Sequence, residues 1–90
     1  MKNLNEVITL AAEGAKNEML ASLPQGFPQD KIDRTMAVVD SVVKTMIEKS
    51  EAIKYGCEDE KSAITLASME AFKYQQREKA IAFKIISYVT

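Results

Sequence analysis

EDEKSAITLASMEAFKYQQREKAIAFKIISYVT, residues 58–90, carries apolar side chains at helical spacing near both of its ends. Ile64, Ala67 and Ala71 recur by threes and fours, as do Ile81, Ile85 and Tyr88, with Tyr74 and Glu78 completing one stripe between them. Lys73 to Lys79 is polar or amphipathic throughout, where a core-facing stripe should continue. Read as one helix from about 59 to 88, the segment is roughly 45 Å long at about 1.5 Å per residue. Its middle then faces either water or something polar, and that choice separates a plain helical hairpin from one that binds a ligand.

The segment before it supplies the other arm. Ile32, Met36, Val39, Val43, Met46, Ser50 and Ile53 alternate by four and three, the pattern of knobs-into-holes packing, and Val38, Val42 and Ile47 widen the stripe toward a second neighbour. Asp30 reads as the N-cap of this helix, over about 30–54. Gly56 is placed as a left-handed C-cap, and the acidic Glu58-Asp59-Glu60 suits the positive end of the helix that follows. Upstream, Leu4, Val7, Ile8, Ala11, Ala15, Met19 and Leu23 mark an amphipathic helix over about 3–22, weakened at Gly14. Pro24, Gly26 and Pro28 end it. The expected fold is all-α, a single helical domain over 1–90 in which an N-terminal helix joins a long antiparallel two-helix hairpin.

Ninety residues bury a thin core, so assembly into a homo-oligomer is expected. Twelve Lys and Arg stand against thirteen Asp and Glu, interspersed, which excludes the basic stripe of a DNA or RNA polymer binder. No apolar run reaches the roughly 18 residues of a membrane span, and no leader-like pattern opens the sequence. With a single Cys57, a reducing, cytoplasmic setting is the expectation. The chain contains no histidine, which removes the commonest general base and metal ligand. No Ser-His or Cys-His pair is available, and the acidic residues are scattered, so neither an enzyme, a cofactor nor a metal site is expected.

Folding the hairpin about Gly56 sets Lys73–Lys79 level with roughly residues 33–39, because both arms rise equally. Lys31, Arg34 and Thr35 lie there, on the first turns of a helix whose free N–H groups and dipole favour an anion. Phe27 and Tyr74 offer flat surfaces for a base, so phosphate handles sit beside stacking surfaces. Lys61 and Ser62, at the opening of the third segment, form a second anion-site candidate. Each residue also has a purely structural use. Lys31 and Arg34 can pair with Asp30 and Asp33, Phe27 can staple a helix start, and Tyr74 can pack in the seam. Cys57 reads as turn filler, since acidic neighbours oppose a thiolate.

Glu60-Lys61-Ser62, the apolar stretch containing Thr65 and Leu66, Glu70-Ala71, the aromatic Tyr74 and the closing Ala80-Ile81-Ala82 resemble the hairpin signature of bacteriophage anti-CBASS sponge proteins, a helical domain shared with phage anti-Thoeris sponges. Ile32 and Arg34 look like the opening of that family's preceding helix, and the likeness covers about residues 30–82. The chain departs from the pattern at three points. Ala80-Ile81-Ala82 lies two residues late, Asp59 stands where a basic residue is expected, and residues 1–23 have no counterpart. The resemblance implies homo-oligomers, hexamers as the expected state, that sequester cyclic di- and trinucleotide messengers in the host bacterial cytoplasm without cleaving them, so that an immune effector stays off. The different class of reading is a helical protein-interaction or assembly module with no small ligand.

Overall fold

A computed structural model describes residues 3–90, and every regular element among them is helical. Helix α1 spans Leu4–Ala21, α2 Gln29–Ile53, α3 Glu60–Ala71 and α4 Gln76–Ile86, with a single 3-10 turn over Lys54–Gly56. Among the described residues, no helix is long and apolar enough to cross a membrane.

Each boundary has a local cause. The Asn3 side chain caps α1 by accepting from Asn5 N–H at 2.9 Å and Glu6 N–H at 3.4 Å. Beyond Ser22 the chain turns through Pro24 and Gly26, whose φ of +81° only glycine adopts cheaply. Helix α2 starts one residue earlier than the sequence suggested. Pro28 is its cap, and Asp30 lies inside the first turn, where it pairs with Arg34 at 3.2 Å. The expected left-handed cap at Gly56 is also absent, because Gly26 alone among the described residues has positive φ. Helix α2 instead tightens into the 3-10 turn, with Cys57 N–H donating to the Lys54 carbonyl at 3.1 Å, a common way to satisfy a last turn. Asp59 then caps α3 by accepting from Ser62 N–H at 2.7 Å.

The main correction concerns the third segment, which is two helices rather than one long arm. The helix stops at Ala71, Gln75 N–H closes a turn onto the Phe72 carbonyl at 3.1 Å, and α4 begins at Gln76. An unbroken helix would have continued its buried stripe through Tyr74 and Glu78. The turn sets Tyr74 86% exposed at the corner while Phe72 stays buried, and it returns Ala82, Ile85, Ile86 and Val89 to the core that Ile64 already occupies. The polar run Lys73–Lys79 is thus the corner and the first turn of α4.

Particular contacts fix the chain directions. Lys16 pairs with Asp40, and Met19 shares a groove with Thr35 and Val38, so α1 and α2 run antiparallel. Lys84 pairs with Glu18 at 2.5 Å while Val89 and Thr90 lie by Asn3 and Val7, so α4 runs against α1. Glu60 borders that same C-terminal region, which makes α3 and α4 antiparallel across their short turn. The result is an up-down-up-down bundle of four helices, flattened to 45 × 26 × 15 Å. Helix α2 touches all the others, whereas α1 and α3 occupy opposite corners and touch least.

The core is built from Leu4, Ile8, Ala11, Ala12 and Ala15 of α1, Val39, Val42 and Met46 of α2, Ile64 of α3 and the apolar face of α4. On α2 the buried line passes through Val42 rather than Val43, and Ile32 and Met36 are only half-buried. The first turns of α2 therefore extend past the packed core. Gly14 has a specific use: the ring of Tyr88 lies so close that an added Cβ would meet its Cδ1 at 2.7 Å. The Tyr88 hydroxyl donates to Glu18, which also accepts from Lys84, tying the C-terminal end to α1.

Candidate functional site

The end of the bundle where α1 finishes and α2 and α4 start is open, and it collects most of the residues the sequence singled out. Phe27, half-buried, lines an apolar pocket of about 200 Å³ with Met19, Ser22, Leu23, Ile32, Thr35 and Met36. A neighbouring groove of about 360 Å³ runs between α2 and α4, with Met19, Val38, Ala80 and Ile81 along it and Arg34 and Arg77 among its walls. Met19 and Thr35 belong to both, so pocket and groove form one surface. Together they fall within the roughly 300–1,000 Å³ of small-molecule sites.

Both guanidinium groups are exposed and hold weak local partners. Arg34 pairs with Asp30 one turn away. Arg77 donates from Nε and a terminal nitrogen to Glu78, at 2.9 and 2.8 Å, and this bond holds the Glu78 carboxyl below its ordinary range. Exposed pairs of this kind contribute little and are readily exchanged for a better anion. The Thr35 hydroxyl donates to the Lys31 carbonyl at 2.9 Å, which leaves its lone pairs free to accept. Lys31 is exposed and makes no ion pair among the described residues. No side chain caps the start of α2; Lys31 and Ile32 N–H turn back to the Pro28 carbonyl.

The remaining predicted residues lie elsewhere. Tyr74 stands on the corner, lining neither the pocket nor the groove, with the Lys73 ammonium 5.4 Å from its ring centre. Lys61 and Ser62 border a shallow depression with Thr65, Leu66 and Met69, and Glu58 and Asp59 line it too. There the Ser62 N–H that an anion would use is taken by Asp59, whose carboxyl is held low chiefly by that bond. The start of α3 therefore supplies its own anion.

Two residues of the surface went unrecognised in the sequence. Arg77 hides inside a polar run, and the turn that swings it toward Arg34 has neither glycine nor proline to announce it. Met19 read as one more member of a core stripe, yet it lies half-buried along both grooves. An unbranched, polarizable side chain there can adjust to a ring laid against it. The arrangement can hold a flat apolar group beside an anion. Among the described residues, no group of His, Cys, Asp and Glu side chains could hold a metal ion. Compared with known protein families, curated proteins and solved structures, the chain finds no match.

Proposed function

We infer that this protein is a non-catalytic binder of cyclic oligonucleotide messengers, working as a homo-oligomer that sequesters its ligand and so antagonises a bacterial anti-phage response. The observation that carries the reading is the continuity of the Phe27 pocket with the Arg34–Arg77 groove. A base would lie against Phe27, Met19 and Met36, with Thr35 accepting from an exocyclic amine. The phosphates would meet Arg34 and Arg77, and Lys31 would add positive charge in the first turn of α2. Lys61, Ser62 and Tyr74 are secondary candidates, Tyr74 as a stacking surface at the corner.

The resemblance of the Glu60–Ala82 segment to phage sponge proteins supports the same ligand class. The test is to incubate the protein with cyclic di- and trinucleotides, remove free ligand, denature the protein and analyse what is released. Intact messenger is the expected outcome. Linearised or hydrolysed product would indicate an enzyme, and no retained ligand of any kind would leave the assembly-module reading.

A further inference from the structure

Met19 borders a further recess, between α1 and α4. It holds about 320 Å³ and is lined by Glu18, Met19 and Ser22 on one side and by Ala80, Ile81 and Lys84 on the other. The recess shares Ala80 and Ile81 with the Arg34–Arg77 groove and Ser22 with the Phe27 pocket. The groove therefore has an apolar recess on each flank, one toward α2 and one toward α4. Half-buried Met19 and Ile81, with exposed Ala80, make the apolar floor of the second one.

Its polar wall is fixed in direction. Lys84 donates to Oε1 of Glu18 at 2.5 Å, and the Tyr88 hydroxyl donates to Oε2. The bond from Lys84 first, and that from Tyr88 second, also hold the Glu18 carboxyl below its ordinary range, so it is ionised at neutral pH. An ionised carboxylate has about four acceptor positions, and these two bonds fill one on each oxygen. Lys84, with three donors, uses one of them on Glu18. The side chains are 48% exposed at Glu18 and 41% at Lys84, so the remaining positions are open to a ligand. Along the wall they form a row of one donor, at Lys84, followed by two acceptors, at Oε1 and Oε2. Tying α4 to α1 needs only the bonds already made and leaves this row unused.

We propose that the Glu18–Lys84 recess reads the edge of a guanine, the second base of a cyclic dinucleotide whose phosphates lie on Arg34 and Arg77. The inference rests on the functional reading of the groove and adds a base preference to it. Guanine presents O6, N1–H and the N2 amine in a row, one acceptor followed by two donors, which is the complement of the wall. O6 accepts from Lys84, N1–H and N2–H donate to the two oxygens of Glu18, and the ring lies on Met19 and Ile81. Adenine offers an amine beside the bare N1 lone pair, so it sets one acceptor against another. Uracil matches Lys84 and one carboxylate oxygen, then places its second carbonyl against the other. The Phe27 pocket, with the single acceptor of Thr35, has no such row, and the choice of base is made at Glu18.

Calorimetric titration of the native chain with cyclic dinucleotides that share one adenine and differ in the other base tests it. Affinity should run from guanine to hypoxanthine, which keeps O6 and N1–H but lacks the N2 amine, and then to adenine. Guanine should lead adenine about five- to a hundredfold. Glu18→Gln exchanges one acceptor for a donor and should erase this order, whereas Glu13→Gln, at an exposed acid of α1 outside the recess, should keep it. The base series is read on the native chain, so it decides the matter even if Glu18→Gln melts early. Adenine bound as well as guanine by the native chain, or a native guanine preference in folded Glu18→Gln, would overturn the proposal while cyclic-dinucleotide binding itself stands. Guanosine monophosphate bound as tightly as the cyclic ligands would keep the guanine recess and refute the cyclic-messenger reading. No binding of any of these ligands would remove both.

Discussion

Replacing Gly14 by Ala sets two effects of known sign against each other. Gly14 lies inside α1 with an ordinary helical backbone, so alanine should by propensity stabilise the helix by about 1 kcal/mol. The new methyl, however, would come 2.7 Å from Cδ1, 3.1 Å from Cε1 and 3.2 Å from Cγ of Tyr88. These atoms are the ring's near edge rather than a flexible tip, so the whole ring must move, and over-packing of this kind costs about 1–3 kcal/mol. The ring cannot swing away without loosening its hydroxyl from Glu18. The net expectation is a loss of up to about 2 kcal/mol, at roughly 4–8 °C of melting temperature per kcal/mol for a domain of this size. Thermal melts of four proteins decide it: native, Gly14→Ala, Tyr88→Ala and the double variant. With the ring removed, Gly14→Ala should become stabilising by about 1 kcal/mol, a reversal of sign between backgrounds. If Gly14→Ala raises the melting temperature in the native background, the Tyr88 ring does not pack on Gly14 and the docking of the C-terminal end on α1 is wrong.

Phe72→Ala should cost about 3–5 kcal/mol, because a fully packed ring at the α3–α4 corner leaves a cavity; a loss below about 1 kcal/mol by urea denaturation would mean the corner is not where α4 turns back. Ser50→Ala should leave stability unchanged or raise it by up to about 1 kcal/mol, since the buried Ser50 hydroxyl has no hydrogen-bond partner among the described residues, and a clear loss in the same assay would reveal one. Stability should fall at both extremes of pH. Lys84 first, and Tyr88 second, hold the Glu18 carboxyl below its ordinary range, so this contribution is complete above the unfolded carboxyl's pKa and is lost as pH drops through the lower folded value. The bond to Glu18 raises the Tyr88 phenol, so that contribution is complete below the ordinary phenol range and is lost as pH climbs through the raised folded value. Melting curves of Glu18→Gln should be flatter than those of the native chain at both ends, and an unchanged profile would remove this clamp from the account.

The apolar periodicities of residues 4–23 and 32–53 were enough to place α1 and α2, because each stripe buries against a neighbour at a matching period. The break at Phe72–Gln75 was not legible for a physical reason. Lys73, Tyr74, Gln75 and Gln76 are acceptable helix residues, and only the gain from burying Ile85, Ile86 and Val89 in a shared core selects the turn. Asp30 and Gly56 misled in a related way, since a proline two positions earlier and a 3-10 turn satisfied the same backbone groups by other means. At the candidate site, Arg34, Thr35 and Phe27 could be named from their position around a helix start. Arg77 and Met19 could not, because only the tertiary return of α4 brings Arg77 to Arg34, and only the packing of α1 along α2 turns Met19 from a core stripe toward Thr35.

Calorimetric titration of cyclic di- and trinucleotides into the native protein and the Arg34→Ala, Arg77→Ala and double variants tests the central claim most directly. Each single change removes a charge-assisted contact, so affinity should fall about ten- to a hundredfold, with a larger loss in the double variant and an unchanged melting temperature in all three. Native binding should also weaken as salt is added. No binding of any messenger by the native chain, or equal binding by the double variant, would contradict the assignment of the Arg34–Arg77 groove as a nucleotide site.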